Sequence, residues 1–285
     1  MAVNDLPIVG DSFKLGYRLQ RYWDTPMASA FFFGELGAGL FFVSLLLESA
    51  QGMMAGLLIT GLLKTYFHLS HMGVPAKSWR AILRPDRSWI SRGLIGIVCF
   101  IGFGALHLLD VMGYIPAFGG LLKLLAGAAA LVVMTYQGFA MSHSTAISLW
   151  NSGLIPVSSL TYSATAGVML LLASVPESAQ FLTPVALILH LVVAAVLLSL
   201  LHAARHGSPG ARKSAELLTR TLYAKWFFLL VCGAGVLLPV LLLWFAGNVP
   251  LVAMIAAAGT LTGYYTFRLL IFKAGVFEPI MSFRP

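Results

Sequence analysis

Long apolar runs alternate with short polar segments along the whole chain. Eight of these runs have about 20 mostly apolar residues, the length at which an α-helix crosses the hydrocarbon core of a bilayer. The pattern therefore predicts an all-α integral membrane protein, a bundle of eight transmembrane helices. The predicted spans are 26–47, 50–70, 93–114, 120–141, 154–174, 181–202, 221–245 and 249–272.

The basic residues fall on one side of this predicted bundle. With eight spans both chain ends share a side, and of the 18 Lys and Arg residues only Lys123 belongs to the other side. Because cytoplasmic loops carry an excess of Lys and Arg, both termini are predicted to be cytoplasmic. The chain is interpreted as an N-terminal segment 1–25, a transmembrane domain 26–272 and a C-terminal segment 273–285. Residues 13–23 mix aromatics with bases, which predicts either a short interfacial helix or a solvated segment with an aromatic anchor.

Composition excludes several classes of protein. Of the 285 residues 59% are hydrophobic and 10% are charged, whereas a soluble domain has roughly 25% charged residues. An ordinary soluble enzyme, a disordered protein and a nucleic-acid binder are thereby excluded, despite the net charge of +8. The two cysteines, Cys99 and Cys232, lie in apolar runs and form no CxxC, so an iron–sulfur cluster in this chain is not expected. Redox chemistry would need a bound cofactor or other subunits.

Ionisable and polar residues inside the spans are candidates for function, because a charge within a bilayer is costly. Glu35 lies near the middle of the first span. Three roles are open for it: a proton relay, a carboxylate of a quinone site, or a protonated group that hydrogen-bonds to a neighbouring helix. Tyr136 and Gln137 end an apolar run and supply the donors that a quinone headgroup needs. Lys64 and Arg268 lie near the cytoplasmic ends of their spans. The ammonium of Lys64 is expected to snorkel to the membrane surface, and the same interpretation is open for Arg268. The predicted quinone-site residues are Tyr136, Gln137, His71, Glu35 and Arg268.

Histidines inside the predicted spans are candidate haem ligands. His107 and His190 lie inside predicted spans, so one pair is conceivable. However, no span carries the two stacked histidines that a di-haem bundle shows. We expect neither haem nor a metal site in this chain.

The loop after the second span concentrates bases and tryptophans at the membrane surface. Two prolines and a Pro-Asp turn within residues 71–93 favour a shaped loop. Such a loop suits the docking of an acidic partner protein, although simple topology determination explains the same composition. The candidate docking residues are Lys77, Trp79, Arg80, Arg84, Arg87, Trp89 and Arg92.

Several segments together resemble the NrfD family, the membrane subunits of polysulfide reductase-like complexes, to which the dimethyl sulfoxide reductase anchor is distantly similar. Residues 71–79 and 88–93 resemble the family's His-Leu-Gly-x-Pro-x-Arg-x-Trp and Ser-Trp-Ile-Ser-Arg-Gly, with Met72 and Lys77 as departures. Residues 136–151 resemble a Tyr-Thr-Gly-x-x-x-Ser element followed by Leu-Trp-Asn. Residues 34–39 resemble Gly-x-x-Ala-Gly, in which Glu35 is unusual.

The resemblance implies a haem-free anchor in a prokaryotic inner membrane that exchanges electrons with the quinone pool, either menaquinone or ubiquinone. The implied partners are a four-cluster ferredoxin-like iron–sulfur subunit and a molybdopterin catalytic subunit. Tyr136 is the counterpart of a fourth-helix tyrosine associated with the family's quinone site. Arg92 stands where the dimethyl sulfoxide reductase anchor has an acidic residue, so no carboxylate is carried over there.

The signature segments and Tyr136 lie on the basic side, so the resemblance implies a cytoplasmic catalytic head. That arrangement resembles the sulfite-oxidising complexes of sulfur bacteria. Polysulfide, thiosulfate and dimethyl sulfoxide reductases and formate dehydrogenase-like complexes are the alternatives. From other classes, a proton-coupled secondary transporter using Glu35 and a tether that binds no quinone stay open.

Overall fold

The computed structural model describes residues 17–115, 118 and 120–278. The outer parts of the predicted N- and C-terminal segments, 1–16 and 279–285, lie outside the described residues. Apolar runs produce helices here because a helix satisfies its own backbone hydrogen bonds, which a bilayer core requires. The helices are α1 (Thr25–Leu46), α2 (Ala50–Leu58, Ile59–Lys64 and Thr65–His71), α3 (Trp89–Val111), α4 (Gly120–Ser142), α5 (Leu154–Ser174), α6 (Ala179–His206), α7 (Pro209–Thr219), α8 (Ala224–Trp226, Phe227–Leu237 and Leu238–Ala246) and α9 (Pro250–Lys273).

All eight predicted spans are helical, and the helix ends lie within four residues of the predicted ends. Within the described residues, six helices are long and apolar enough to cross a membrane: α1, α3, α4, α5, α6 and α8. The helical membrane class is therefore confirmed. The helices α2 and α9 cover the two remaining predicted spans, so eight crossings stay a prediction. The middle segments of α2 and α8 are π-helical.

The centre of the bundle is formed by α1 and α5, most of whose residues are buried. Gly39 of α1 and Gly167 of α5 allow this packing, because a Cβ at Gly167 would overlap the backbone at Gly39. Small residues are typical of such interfaces, since lipid offers no hydrophobic force to hold apolar helices together. The outer helices α3, α6 and α8 leave large apolar side chains such as Val98, Leu198 and Leu229 exposed.

Contacts between helix ends define two faces of the bundle. On one face β1 (Arg18–Leu19) pairs antiparallel with β2 (Val276–Phe277), and Ile147 forms a bridge to Phe277. On the other face Lys123 Nζ lies 2.9 Å from Glu48 Oε1. Both ends of the described chain thus share one face, here called the basic face. The strand β1 also replaces the predicted interfacial helix over the described part of 13–23.

The connection between α6 and α8 contains α7, a short amphipathic helix that the hydropathy pattern did not indicate. The hydroxyl of Ser208 accepts a hydrogen bond from Ala211 N and so caps the first turn. Ala211, Ala215 and Leu218 are buried on one side of the helix. Glu278 reaches the same helix end, where its Oε1 accepts a hydrogen bond from Gly210 N at 3.0 Å. This cap ties the end of the described chain to the basic face.

Candidate functional site

Tyr136 lies in the last third of α4 with its side chain directed at α3. The residue is only 7% exposed, and its ring lies against Gly93, where a Cβ would overlap ring carbons Cδ2 and Cε2. Gly93 therefore provides the space that this phenol occupies. The arrangement keeps a hydroxyl donor inside the helix bundle, beside the part of α3 that follows the predicted docking loop.

Gln137 is fully buried next to Tyr136. Its Nε2 lies 3.4 Å from the Tyr136 hydroxyl oxygen and 2.6 Å from the place where a Cβ of Gly34 would lie. Its carbonyl Oε1 is buried and has no hydrogen-bond partner among the described residues. Because an unpaired buried amide oxygen costs about 1–3 kcal/mol, this atom marks a place where a ligand or water is favoured.

Lys64 completes this group from α2. The side chain is 3% exposed, its stem lies 3.1–3.2 Å from the place of a Gly34 Cβ, and its Nζ is 5.8 Å from the centre of the Tyr136 ring. The prediction that Lys64 snorkels to the surface is therefore wrong: the ammonium points into the bundle. Lys64, Tyr136 and Gln137 are here called the donor group, because each presents N–H or O–H to the same region.

Glu35 and Arg268 form a separate, buried ion pair, in which Glu35 Oε1 and Arg268 Nε and Nη1 have no hydrogen-bond partner among the described residues. Arg268 Nη2 lies 2.6 Å from Glu35 Oε2, and both side chains are fully buried. Tyr264 donates its hydroxyl hydrogen to the same carboxylate oxygen, and Arg268 donates to Ser159 Oγ at 2.8 Å. Arg268 therefore does not snorkel either. The sequence assigned both residues to the quinone site, but the structure pairs them with each other.

The ion pair and the donor group lie side by side. Gly34 touches the donor group and is followed directly by Glu35 in α1. On α4, Gly138 follows Gln137 and lies against Ser159, the acceptor of the Arg268 hydrogen bond. One helical layer thus carries both features. The predicted site residue His71 lies at the end of α2, and among the described residues the side-chain hydrogen bond of Tyr136 and Gln137 joins these two to each other.

The predicted docking loop is exposed on the basic face. Residues Pro75–Leu83 form a 3₁₀-helix, and the loop bases are solvent-exposed. Arg87 pairs with its neighbour Asp86 at 3.1 Å, and Arg80 lies over the Trp79 ring. Lys77 and Arg84 make no ion pair within the described residues. The loop therefore presents a surface of positive charge that is little compensated.

Two of the predicted docking residues fix the loop to the bundle instead. Arg92 donates to the carbonyl oxygens of Pro85 and Asp86 at 2.8 and 3.1 Å and lies 4.6 Å from the Trp89 ring. Trp89 stacks on Phe139 and donates to His143 Nε2 at 3.0 Å. Since Phe139 follows Tyr136 by one helical turn, these contacts hold the loop directly above the donor group.

The interior histidines have their own hydrogen bonds or lie near a helix end. His190 contacts Ala186 O at 2.7 Å and Thr260 Oγ1 at 2.9 Å, so both ring nitrogens are engaged. His107 lies one helical turn before the end of α3. In the described part of the chain no group of three His, Cys, Asp or Glu residues forms a potential metal site.

The donor group fits a quinone headgroup by its chemistry, since a quinone has two carbonyl oxygens that accept hydrogen bonds and the group offers three donors. The three side chains are closely packed, so at least one of them must move before a headgroup can bind. Lys64 can move because its stem is flexible. Cavities of about 560 Å³ and 250 Å³ lie elsewhere, one between α6 and α8 near Gly247 and the other near Ser208 on the basic face.

The sequence predicts Tyr136 and Gln137 as candidates, but it does not predict the roles of Ser159 and Lys64 in the same layer of the bundle. Ser159 carried no signal, because one serine in an apolar helix usually bonds to its own backbone. Lys64 carried a signal, a lysine inside an apolar run, that was given the wrong interpretation. Its spacing of four residues from Thr60 and from His68 places three polar groups on one helix face.

The comparisons with known proteins agree with the resemblance in the sequence. The family model described as polysulphide reductase, NrfD, matches residues 15–279. A search of curated proteins found no match.

Proposed function

Since the chain belongs to the NrfD family, whose members are membrane subunits of oxidoreductase complexes with iron–sulfur and molybdopterin subunits, we propose that it is the quinone-reactive anchor of such a complex. It passes electrons between a docked iron–sulfur subunit and the quinone pool. The catalytic site for the other substrate lies on another subunit. The observation that carries the proposal is the donor group, a buried set of hydrogen-bond donors directly beneath an exposed basic loop.

The residues of the chain bind and orient the headgroup and handle its protons. A quinone supplies two-electron chemistry coupled to the transfer of two protons. The Tyr136 hydroxyl donates a hydrogen bond to one carbonyl oxygen, and the Gln137 amide holds that hydroxyl in position through its Nε2, 3.4 Å away. The surrounding apolar side chains of α3 and α4 exclude bulk water, which strengthens these hydrogen bonds.

The basic loop is the proposed docking surface for the iron–sulfur subunit. Its exposed bases suit an acidic partner, and complementary charge speeds and orients association. Trp89 and Arg92 give the loop a fixed shape, because their hydrogen bonds and stacking tie it to α3 and α4. A docked cluster would therefore lie above Tyr136, which keeps the electron path short.

The orientation follows from the positive-inside rule. The basic face, with both chain ends, faces the cytoplasm of a prokaryotic cell, and the chain crosses the inner membrane eight times. The contacts at the helix ends support an even number of crossings, because both ends of the described chain pair with each other. The catalytic head is then cytoplasmic, which favours a sulfite-oxidising complex over polysulfide, thiosulfate or dimethyl sulfoxide reductase and formate dehydrogenase-like complexes.

Purification from native membranes in mild detergent, followed by mass spectrometry, tests the anchor role. We expect a cysteine-rich ferredoxin-like chain and a large molybdopterin chain without an export signal. The identity of the large chain then indicates the substrate of the complex. A protein that purifies alone, without quinone, contradicts the proposal and favours the secondary transporter.

The variant Tyr136→Phe tests the quinone site. Phenylalanine keeps the ring against Gly93 but removes the hydroxyl, so we expect the complex to assemble and quinone-linked activity to fall about 100-fold or more, as for loss of a group that transfers a proton in the reaction. Tyr66→Phe is the matched control, because Tyr66 is an exposed tyrosine of α2. Full activity of Tyr136→Phe would exclude a role for this hydroxyl.

A further inference from the structure

Three polar residues follow one face of α2 at intervals of four residues. Thr60 and Lys64 are buried and His68 is half-buried, whereas Leu62, Leu63 and Tyr66 on the other side of the helix are exposed. Residues four apart lie on the same side of a helix. The polar face of α2 therefore points into the bundle, where ionisable residues of a membrane protein usually have a function.

The polar atoms along this face lack partners within the described residues. Thr60 Oγ1 and His68 Nδ1 are buried without a hydrogen bond. Lys64 forms neither a hydrogen bond nor an ion pair with any described residue, although 97% of it is shielded from solvent. The Lys64 Nζ is not fully enclosed, but a largely shielded ammonium group without an acceptor is still unfavourable. Its retention is explained if a ligand provides the missing acceptor.

The backbone contributes to this arrangement. Residues Ile59–Lys64 form a π-helical segment in the middle of α2, and such segments are frequent at functional sites because the extra residue in the turn redirects side chains. Gly34 leaves the space through which the Lys64 stem reaches Gln137 and Tyr136. The ammonium is thereby directed at the donor group and not at the membrane surface.

We propose that Lys64 is a direct ligand of the quinone headgroup and carries one of its protons, with His68 linking Lys64 to the basic face. The inference rests on the proposed quinone site and extends it. Lys64 Nζ donates a hydrogen bond to one carbonyl oxygen, while Tyr136 serves the other. When two electrons arrive from the partner's iron–sulfur cluster, Lys64 gives one proton to its oxygen and Tyr136 gives the second. Both are then reprotonated from the aqueous side.

The ion pair explains why Lys64 has this role and Glu35 does not. The Glu35 carboxylate already accepts hydrogen bonds from Arg268 and Tyr264, so its charge is compensated within the protein. Lys64 lies beside Gly34, the preceding residue on α1, and has no such compensation. Of the three charged groups at this level of the bundle, Lys64 alone has no oppositely charged partner among the described residues; Glu35 Oε1 and Arg268 Nε and Nη1 lack further hydrogen bonds, but their charges are paired.

Binding of a quinone analogue tests the proposal without relying on turnover. The fluorescence of 2-heptyl-4-hydroxyquinoline N-oxide is quenched on binding, so titration of the purified complex gives a Kd. Lys64→Met keeps the length of the stem and removes the charge, and we expect a Kd about 10–100-fold higher, as for a lost charged hydrogen bond. Lys123→Met is the control, because Lys123 pairs with Glu48 on the opposite face. An unchanged Kd for Lys64→Met overturns the proposal.

A second measurement uses the wild-type complex and so does not depend on the folding of a variant. A membrane-permeant amine reagent is applied with and without the analogue, and labelling at Lys64 is quantified by mass spectrometry. We expect the analogue to protect Lys64 and not Lys123. Equal labelling with and without analogue overturns the proposal. If the wild-type complex binds no analogue at all, the quinone site itself is refuted.

The role of His68 has its own readout. His68→Gln is expected to leave the analogue Kd within about twofold of wild type, because His68 lies one helical turn away from Lys64 and is not proposed to contact the headgroup. Turnover is expected to fall, with a larger solvent isotope effect in D₂O, and added imidazole is expected to restore it. Normal turnover and isotope effect in His68→Gln would remove His68 from the proton route.

Discussion

The strongest test of the ion pair is the removal of one partner. Arg268→Met deletes the guanidinium and leaves the Glu35 carboxylate fully buried, with the Tyr264 hydroxyl as its remaining donor. The carboxylate can no longer be paired, and its hydration cannot be recovered at this depth. The hydrogen bond from Arg268 to Ser159 is lost as well. We therefore expect Arg268→Met to be strongly destabilising.

The magnitude follows from the behaviour of buried pairs. Breaking a buried ion pair from one side costs about 3–5 kcal/mol, whereas replacing both members by apolar residues is often close to neutral. The double variant Glu35→Leu with Arg268→Met should therefore recover most of the loss. A double-mutant cycle should give a coupling energy of about 3 kcal/mol in favour of the pair. The exposed pair Lys123–Glu48 is the control, and its cycle should show little coupling.

The assay is equilibrium unfolding of the purified protein in mixed micelles, with each variant compared at the same detergent composition. Additive effects of the two substitutions would refute the reasoning, since they would show that the two charges do not stabilise each other. Activity of the double variant then separates two roles. If stability returns and quinone activity returns with it, the pair is structural. If activity stays lost, Glu35 or Arg268 acts at the quinone site, as the sequence alone had suggested.

Two further predictions concern positions outside the pair. Gly93→Ala places a methyl group where the Tyr136 ring lies, so analogue affinity should fall at least about tenfold, as for a displaced hydrogen bond. Gly102→Ala is the control, because Gly102 is on the same helix with open space around it, and this variant should bind normally. Equal Kd values for the Gly93→Ala and Gly102→Ala variants would contradict the contact between Gly93 and Tyr136. Burial alone would raise the pKa of Glu278, but hydrogen bonds from Ser148, Ser208 and the backbone near Gly210 outweigh it and lower the pKa. Glu278 therefore stabilises the fold at pH values above the ordinary glutamate pKa of about 4.3, and this contribution is lost as the pH falls through the lowered pKa. Melting temperatures measured between pH 7 and pH 3 should depend less on pH for Glu278→Gln than for the wild type. The same pH dependence in both proteins would exclude this role.

The helices could be predicted from the sequence because their cause is local. An apolar run of about 20 residues has few alternatives to a membrane helix, so the predicted spans agree with the observed helices to within four residues. The helix α7 escaped prediction because it is short and its buried face consists largely of small residues such as Ala211 and Ala215. The strand β1 escaped it because its partner, Val276–Phe277, lies at the other end of the chain.

The candidate site could be predicted only in part, because depth along a helix is local information and the direction of a side chain is not. The position of Lys64 near a span end suggested snorkelling, and nothing in α2 alone shows that Gly34 opens a space for its stem. Likewise, Glu35 and Arg268 each suggested a site for a ligand. Their pairing depends on α1 and α9 becoming neighbours, although the two residues are 233 positions apart in the sequence.

The two cations have consequences for the direction of electron flow. Arg268 is neutralised by Glu35, whereas Lys64 adds an uncompensated positive charge beside the donor group. Such a charge stabilises a headgroup that gains negative charge more than a neutral one, and the low dielectric of the interior strengthens the effect. The site therefore favours uptake of electrons by the quinone. Under the proposed function, electron flow from the docked subunit to the quinone is the direction of a complex that oxidises its substrate, so the charge of Lys64 favours a sulfite-oxidising or formate dehydrogenase-like complex over the reductases.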